Sequence, residues 1–186
     1  IIMELPKDYE QTQGFTGEYE TLEPGGYVCV IKEARTEKSS TGKDMLVIAF
    51  DIAEGEEKAG FYKRKFDEDN RADKKWQGVH RIMVLDKDGK CSKFFKGFGT
   101  SIEASNQGYK FTGDEASLKG KKFGGLFGKE EYENVFKERK MITKLRFIRS
   151  ANGIKEAKVP EPKLLPQKSD ISFETDFAAD NDDLPF

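Results

Sequence analysis

The chain has 186 residues, 36% hydrophobic and 35% charged, with 32 Lys and Arg against 34 Asp and Glu. No run approaches the ~18 apolar residues of a membrane-spanning helix. Ile1-Ile2-Met3-Glu4-Leu5-Pro6 lacks the basic start and apolar stretch of a secretory signal, so the expectation is a cytoplasmic protein with Met3 as a candidate natural start. Cys29 and Cys91 lie far apart with no Cys-x-x-Cys, and His80 is the single histidine. This composition argues against a disulfide, a zinc site or a histidine-dependent catalytic pair, and no metal or cofactor is expected.

Residues 1–25 mix Gly14, Gly17 and Pro24 with Tyr9, Phe15, Tyr19 and Leu22 and predict an irregular leader. From Tyr27 the run is β-branched and then alternates, which predicts a first strand over about 26–37. Residues 38–43 read as a turn, and residues 45–52 as a second strand buried on much of both faces. Residues 60–66 place Lys63, Arg64 and Lys65 among aromatics and predict a third strand. Residues 79–85 are too short for periodicity to separate strand from helix, and strand is favoured. Ser92 is a candidate N-cap for a helix over 92–106, with Phe94, Phe95, Phe98 and Ile102 on one side. Gly97 and Gly99, each costing about 1 kcal/mol against alanine inside a helix, are expected where that helix packs closely on the sheet. The glycines of 121–132 suggest a bent strand, residues 137–149 form the last strand, and Pro160, Pro162 and Pro166 mark an extended linker.

With 60–66 taken as the third strand and the ambiguous 79–85 left out of the count, the predicted order, strand, strand, strand, helix, strand, strand, is that of an OB-fold, whose helix sits between the third and fourth strands. The expected fold is thus mainly β. It comprises a five-stranded OB-fold barrel over residues 26–158, after the 1–25 leader, followed at 159–186 by a linker and an acidic tail.

Binding a single strand without reading its sequence needs bases for phosphates and exposed aromatic faces for stacking. Residues 61–76 supply both: Tyr62, Phe66 and Trp76 interleave with Arg64, Lys74 and Lys75. On a strand, Tyr62, Arg64 and Phe66 would share one face, the favoured nucleic-acid face, with Phe61, Lys63 and Lys65 on the other; the opposite assignment stays open. Arg81, Tyr109, Lys121, Lys122 and Arg139 are candidates for the rest of a positive groove, whose affinity would depend on salt. No Gly-Lys pair is followed by Ser or Thr, so a P-loop is excluded, and Gly97-Phe98-Gly99 makes no dinucleotide fingerprint. The cluster Asp67, Glu68, Asp69 and Asp73 leaves a metal-dependent nuclease as a minor alternative, beside an OB-like adaptor that binds no nucleic acid.

From Asp170 onward stand Asp170, Glu174, Asp176, Asp180, Asp182 and Asp183 with no Lys or Arg, which leaves the preceding residues with a net excess of bases. Such a segment has too little apolar surface to repay ordering, yet it closes on Leu184-Pro185-Phe186. An apolar tip behind two aspartates reads as a docking peptide for a pocket ringed by bases. The closing Asp182-Asp183-Leu184-Pro185-Phe186 resembles the C-terminal tip of bacterial and phage single-stranded DNA-binding proteins. That resemblance implies an OB-fold body that holds the strand and a tip that recruits replication, recombination and repair proteins. Gly60-Phe61-Tyr62, Lys74-Lys75-Trp76-Gln77-Gly78, Phe94-Phe95-Lys96 through Glu103-Ala104-Ser105-Asn106, and Leu118-Lys119-Gly120-Lys121 are similar to phage and mobile-element proteins of unassigned function. This second resemblance implies the same OB-like fold in a phage or integrative-element setting. The reading is therefore a non-enzymatic single-stranded DNA-binding protein, with its oligomeric state open.

Overall fold

The computed structural model describes residues 3–12, 14 and 18–167; the tail residues Asp182, Asp183, Leu184, Pro185 and Phe186 lie outside them. The fold is mainly β. Five antiparallel strands, β1 (Gly25–Lys38), β2 (Asp44–Ile52), β3 (Val79–Met83), β4 (Lys122–Glu133) and β5 (Arg139–Arg149), form one sheet in the order β3-β2-β1-β4-β5. Two α-helices interrupt them, α1 (Phe61–Glu68) before β3 and α2 (Lys93–Ser105) after it. β3 and β5 are the two edges, and no hydrogen bonds join them among the described residues.

Side-chain alternation places the core. Cys29 and Ile31 of β1, Leu46, Ile48, Phe50 and Ile52 of β2, Phe123 and Phe127 of β4 and Leu145 of β5 point to one side of the curved sheet. A bulge between Ile31 and Glu33 resets the alternation, so that Ala34 rejoins the core face. Phe98 and Ile102, one turn apart on α2, complete this side, and the helix packs on β3, β4 and β5. Ser92 caps α2 by accepting from the Phe94 amide at 3.2 Å, as its position before an apolar-periodic run predicts.

The segment at 60–66 is a helix, not the third strand that the sequence suggested. Its buried positions, Phe61 and Tyr62, are adjacent, whereas a strand would send them to opposite faces. Gly60 offers no side-chain cap, and the cap comes from β2. Asp51, 1% exposed, accepts hydrogen bonds from the amides of Ile52 (2.8 Å), Tyr62 (2.9 Å) and Lys63 (3.1 Å). The last two are the second and third amides of α1, among those that a helix leaves without partners. The third strand is instead β3, so the prediction of five strands with a helix between the third and fourth holds, with a different third strand and an additional helix before it.

Glycines decide what lies on the opposite side of β1 and β4. A Cβ on Gly26 would stand 1.8 Å from the Ile154 carbonyl oxygen, and one on Gly124 would stand 2.3 Å from that of Ser150. Residues 150–157 therefore lie directly on the sheet and bury Ile154. The chain then follows the free margin of β4, where Glu131 N–H donates to Lys163 O (2.8 Å) and Lys163 N–H to Lys129 O (2.9 Å). The Pro-containing stretch expected to be a linker is thus hydrogen-bonded to the sheet at Lys163. At the other end, Leu22 is buried in the core, so the leader is anchored before β1 begins. Gly99 is buried as expected, but Gly97 is exposed and faces open space.

Asp51→Ala removes an acceptor from three buried or half-buried amides at once. The expected loss is about 2–3 kcal/mol of unfolding free energy, with Asp51→Asn losing less because one oxygen acceptor remains. Urea unfolding followed by Trp76 fluorescence measures both.

Candidate nucleic-acid interface

α1 and the turn after it bring Phe66, Lys74 and Trp76 together. The Phe66 and Trp76 ring centroids are 5.9 Å apart at 46°, and Lys74 Nζ stands 4.5 Å from the Phe66 centroid. Trp76 is fixed by its indole N–H, which donates to Phe50 O at 3.0 Å, so part of its ring packs on the core while the residue stays half-buried. Lys65, one helical turn from Phe61, sits 5.3 Å from that ring, and Lys75 is exposed beside the cluster. A cation held over an aromatic face keeps its charge available to a phosphate.

A second group forms where β4 begins. Lys121 Nζ lies 4.6 Å from the Tyr109 centroid, and the Tyr109 hydroxyl is 2.7 Å from Ser117 Oγ. The Asn106 side chain holds the Lys122 backbone from both sides, donating to its carbonyl (2.8 Å) and accepting from its amide (3.0 Å), which leaves the Lys122 side chain exposed. One row of residues across the sheet connects the two groups, hydrogen-bonded at its two outer steps and paired in register at the middle one. Gly78 O accepts from Phe50 N–H, Phe50 faces Ile31, and Ile31 N–H donates to Lys121 O. Three strand spacings, about 14 Å, therefore separate the β3 side of the row from the β4 side.

The remaining expected residues go elsewhere. Tyr62 is 7% exposed and meets Phe50 edge-on at 5.3 Å; burial pushes its phenol well above the ordinary range, and it is a core residue with no free face for a base. Arg64 grips the Glu20 carboxylate with Nε and Nη2, each at 3.0 Å, and holds that carboxyl below its usual range. Tyr62, Arg64 and Phe66 thus share no common face. Arg139 is drawn to Glu131 (3.4 Å) and to Pro166 O (2.7 Å), on the part of the β4–β5 hairpin that extends past β1. Arg81 stands on the face of β3 turned from the core, where register places Arg35, Val47 and Arg81 side by side across β1, β2 and β3. Sequence reasoning did not single out Arg35. The alternation Glu33, Arg35, Glu37 would have found it once the bulge was known. Lys65 was assigned to the strand face opposite Phe66, an assignment the helix removes.

Two of the acidic residues, Asp67 in the last turn of α1 and Asp69 just beyond it, are occupied by neighbours. Lys63 pairs with Asp67 at 2.6 Å, and the Arg71 guanidinium chelates Asp69, lowering its pKa to about 2. Among the described residues no group of three or more His, Cys, Asp or Glu could hold a metal ion, and no helix is long and apolar enough to cross a membrane. Compared with protein-family models and with curated proteins, the chain matches none.

His80 pairs with Ile48 in register and shares its inward side of the sheet, so loss of hydration lowers its pKa to about 4 from 6.5. The folded state favours the neutral ring, which makes its contribution complete above the unfolded pKa and progressively lost as pH falls from about 6.5 toward about 4. The urea midpoint should drop between about pH 7 and about pH 5, and His80→Gln should flatten that part of the profile.

Proposed function

We propose that this chain binds single-stranded DNA without reading its sequence, on a partly open OB-like barrel, and serves phage or mobile-element replication or recombination. Pairing β3 with β5 would close the sheet, and α2, packed on both edge strands and lying between β3 and β4 in the chain, would then stand where that fold has its helix. The observation that carries the reading is the Phe66, Lys74 and Trp76 cluster, which one row of residues in register across β2 and β1 links to the side of the sheet that holds Tyr109 and Lys121. Rings next to cations at both ends of a row suit a polymer of stacked bases and phosphates. The exposed Lys75 and Lys122 add charge beside each group. The tail residues Asp182, Asp183, Leu184, Pro185 and Phe186 would recruit DNA-processing proteins while the body covers the strand.

The alternative of a protein-interaction adaptor draws support from a different place. Val135 and Phe136 at the tip of the β4–β5 hairpin are 70% and 80% exposed. One titration separates the readings. Oligo-dT added to the full chain at low salt should quench Trp76 fluorescence, and the midpoint should rise steeply with salt. Phe66→Ala should weaken binding by about tenfold, within what a stacked base contributes, and Lys74→Ala should weaken it and make it less dependent on salt. An unchanged Trp76 signal together with no gel retardation at low salt would refute strand binding and leave the adaptor, and cleavage of the oligonucleotide would point to the nuclease.

A further inference from the structure

The outward side of α2 carries a groove that the strand-binding cluster does not use. It is open, has a volume of about 640 Å³, and is lined by Cys91, Lys93, Lys96, Gly97, Thr100 and Ser101. Positions 93, 96, 97, 100 and 101 follow helical spacing and form the face opposite Phe98 and Ile102, which are buried in the core. At its centre Gly97 is exposed, with nothing within 4 Å of where a Cβ would stand. A glycine inside a helix costs about 1 kcal/mol against alanine, and here no contact within the fold requires it. What it does provide is a bare strip of helix backbone flanked by Lys93 and Lys96, neither of which makes an ion pair among the described residues.

We propose that this groove is the seat of the chain's own C-terminal tip, with Asp182 and Asp183 facing Lys93 and Lys96 and Leu184-Pro185-Phe186 lying over Gly97. Charge complementarity selects the acidic side of the occupant, and the amino-terminal half of α2 adds a favourable dipole for it. The depression is open, with room for one aromatic ring and its neighbours lying along the helix. Reach is sufficient. The described chain leaves the body beyond Pro166, held by Arg139 at the start of β5. β5 runs from there to Ile148, whose carbonyl is 3.5 Å from Ser101 Oγ at the groove. Nine strand residues cover about 30 Å. Residues 168–181, fully extended, span up to about 46–50 Å. A segment tethered at this length presents its tip at an effective concentration near millimolar, so even weak contacts keep the groove occupied. A tip seated on α2 is withheld from any outside protein, and a partner that binds Phe186 more tightly draws it off without altering the sheet. The inference goes beyond strand binding and does not depend on it.

Cys91 gives the test. Its thiol lines the groove and is exposed, whereas Cys29 is buried, so alkylation of the folded full-length protein reads the groove alone. Without any nucleic acid present, Phe186→Ala and the double change D182K/D183K should each raise the Cys91 alkylation rate severalfold. A synthetic peptide of residues 176–186 added to the Phe186→Ala protein should restore the slow rate, and the slow rate of the parent should not change on dilution. Phe186→Ala leaves net charge untouched, so it separates docking from a field effect on the thiolate. Equal rates in the parent and Phe186→Ala proteins would overturn the proposal, as would acceleration by D182K/D183K alone. Protection that disappears on dilution would assign the tip to a second copy and overturn the intramolecular seat. Because the assay contains no oligonucleotide, its outcome and that of the oligo-dT titration are independent.

Discussion

A buried carboxylate at the end of β2 determines where the next helix is placed. Asp51 has no water to solvate it, and a carboxylate can only accept, so it needs donors from the protein. It finds them in its neighbour's amide and in the open amino end of α1. The two needs are reciprocal, since the first amides of a helix lack partners and the helix dipole favours a negative charge there. Once α1 is fixed, Tyr62 enters the core against Phe50, Arg64 reaches back to Glu20 of the leader, and Phe66 projects toward Trp76. The ring cluster therefore depends on a contact that lies outside it.

The same contact explains why sequence reading succeeded around this segment and failed within it. β1 and β2 carry long runs in which alternation and β-branched residues agree, and α2 has a capping serine and a helical stripe. Residues 60–66 offer two apolar-basic patterns at once. Alternation gives a strand with Tyr62, Arg64 and Phe66 on one face, while positions 61, 62, 65 and 66 give a helix. The cap that decides between them sits eleven residues earlier, on a strand, where no local signal connects it to the helix. The candidate site was legible in its residue types for Phe66, Lys74, Trp76, Tyr109 and Lys121. It was illegible where burial or pairing claimed a residue, as with Tyr62 and Arg64, because a tyrosine or arginine in a basic aromatic run looks alike whether it faces solvent or core. The proposed docking tip falls beyond the described residues.

The glycines of β4 were legible as bends but serve a different purpose. Gly124, on the side of the sheet turned from the core, stands where a methyl group would collide with the backbone of the segment after β5. Gly125 faces inward, where a Cβ would stand 2.9 Å from Cys29 Sγ and 3.0 Å from a Leu145 methyl. One pair of adjacent glycines thus admits the core on one side and the returning chain on the other. Because Ile154 and Lys163 fix that return, the prolines beyond β5 begin on the sheet, and the tail departs from a defined place at the hairpin rather than from the end of β5.

The distribution of bases without an ion pair would then separate the two anionic ligands proposed. Lys58, Lys63, Arg71, Lys110 and Arg139 are each within 4 Å of a carboxylate, and charges so compensated contribute little to attracting an external anion. Lys74 and Lys121 rest over aromatic rings, and Lys93 and Lys96 border an exposed helix backbone. A polynucleotide gains from the first arrangement, since every phosphate it brings is accompanied by a base that can stack. It gains little from the second, where no ring lines the groove. A short acidic peptide with an apolar end has the reverse preference: it needs width for one side chain, close approach to backbone and a few cations at the rim. The two surfaces therefore discriminate by what accompanies the charge, and occupancy of one leaves the other's cations free.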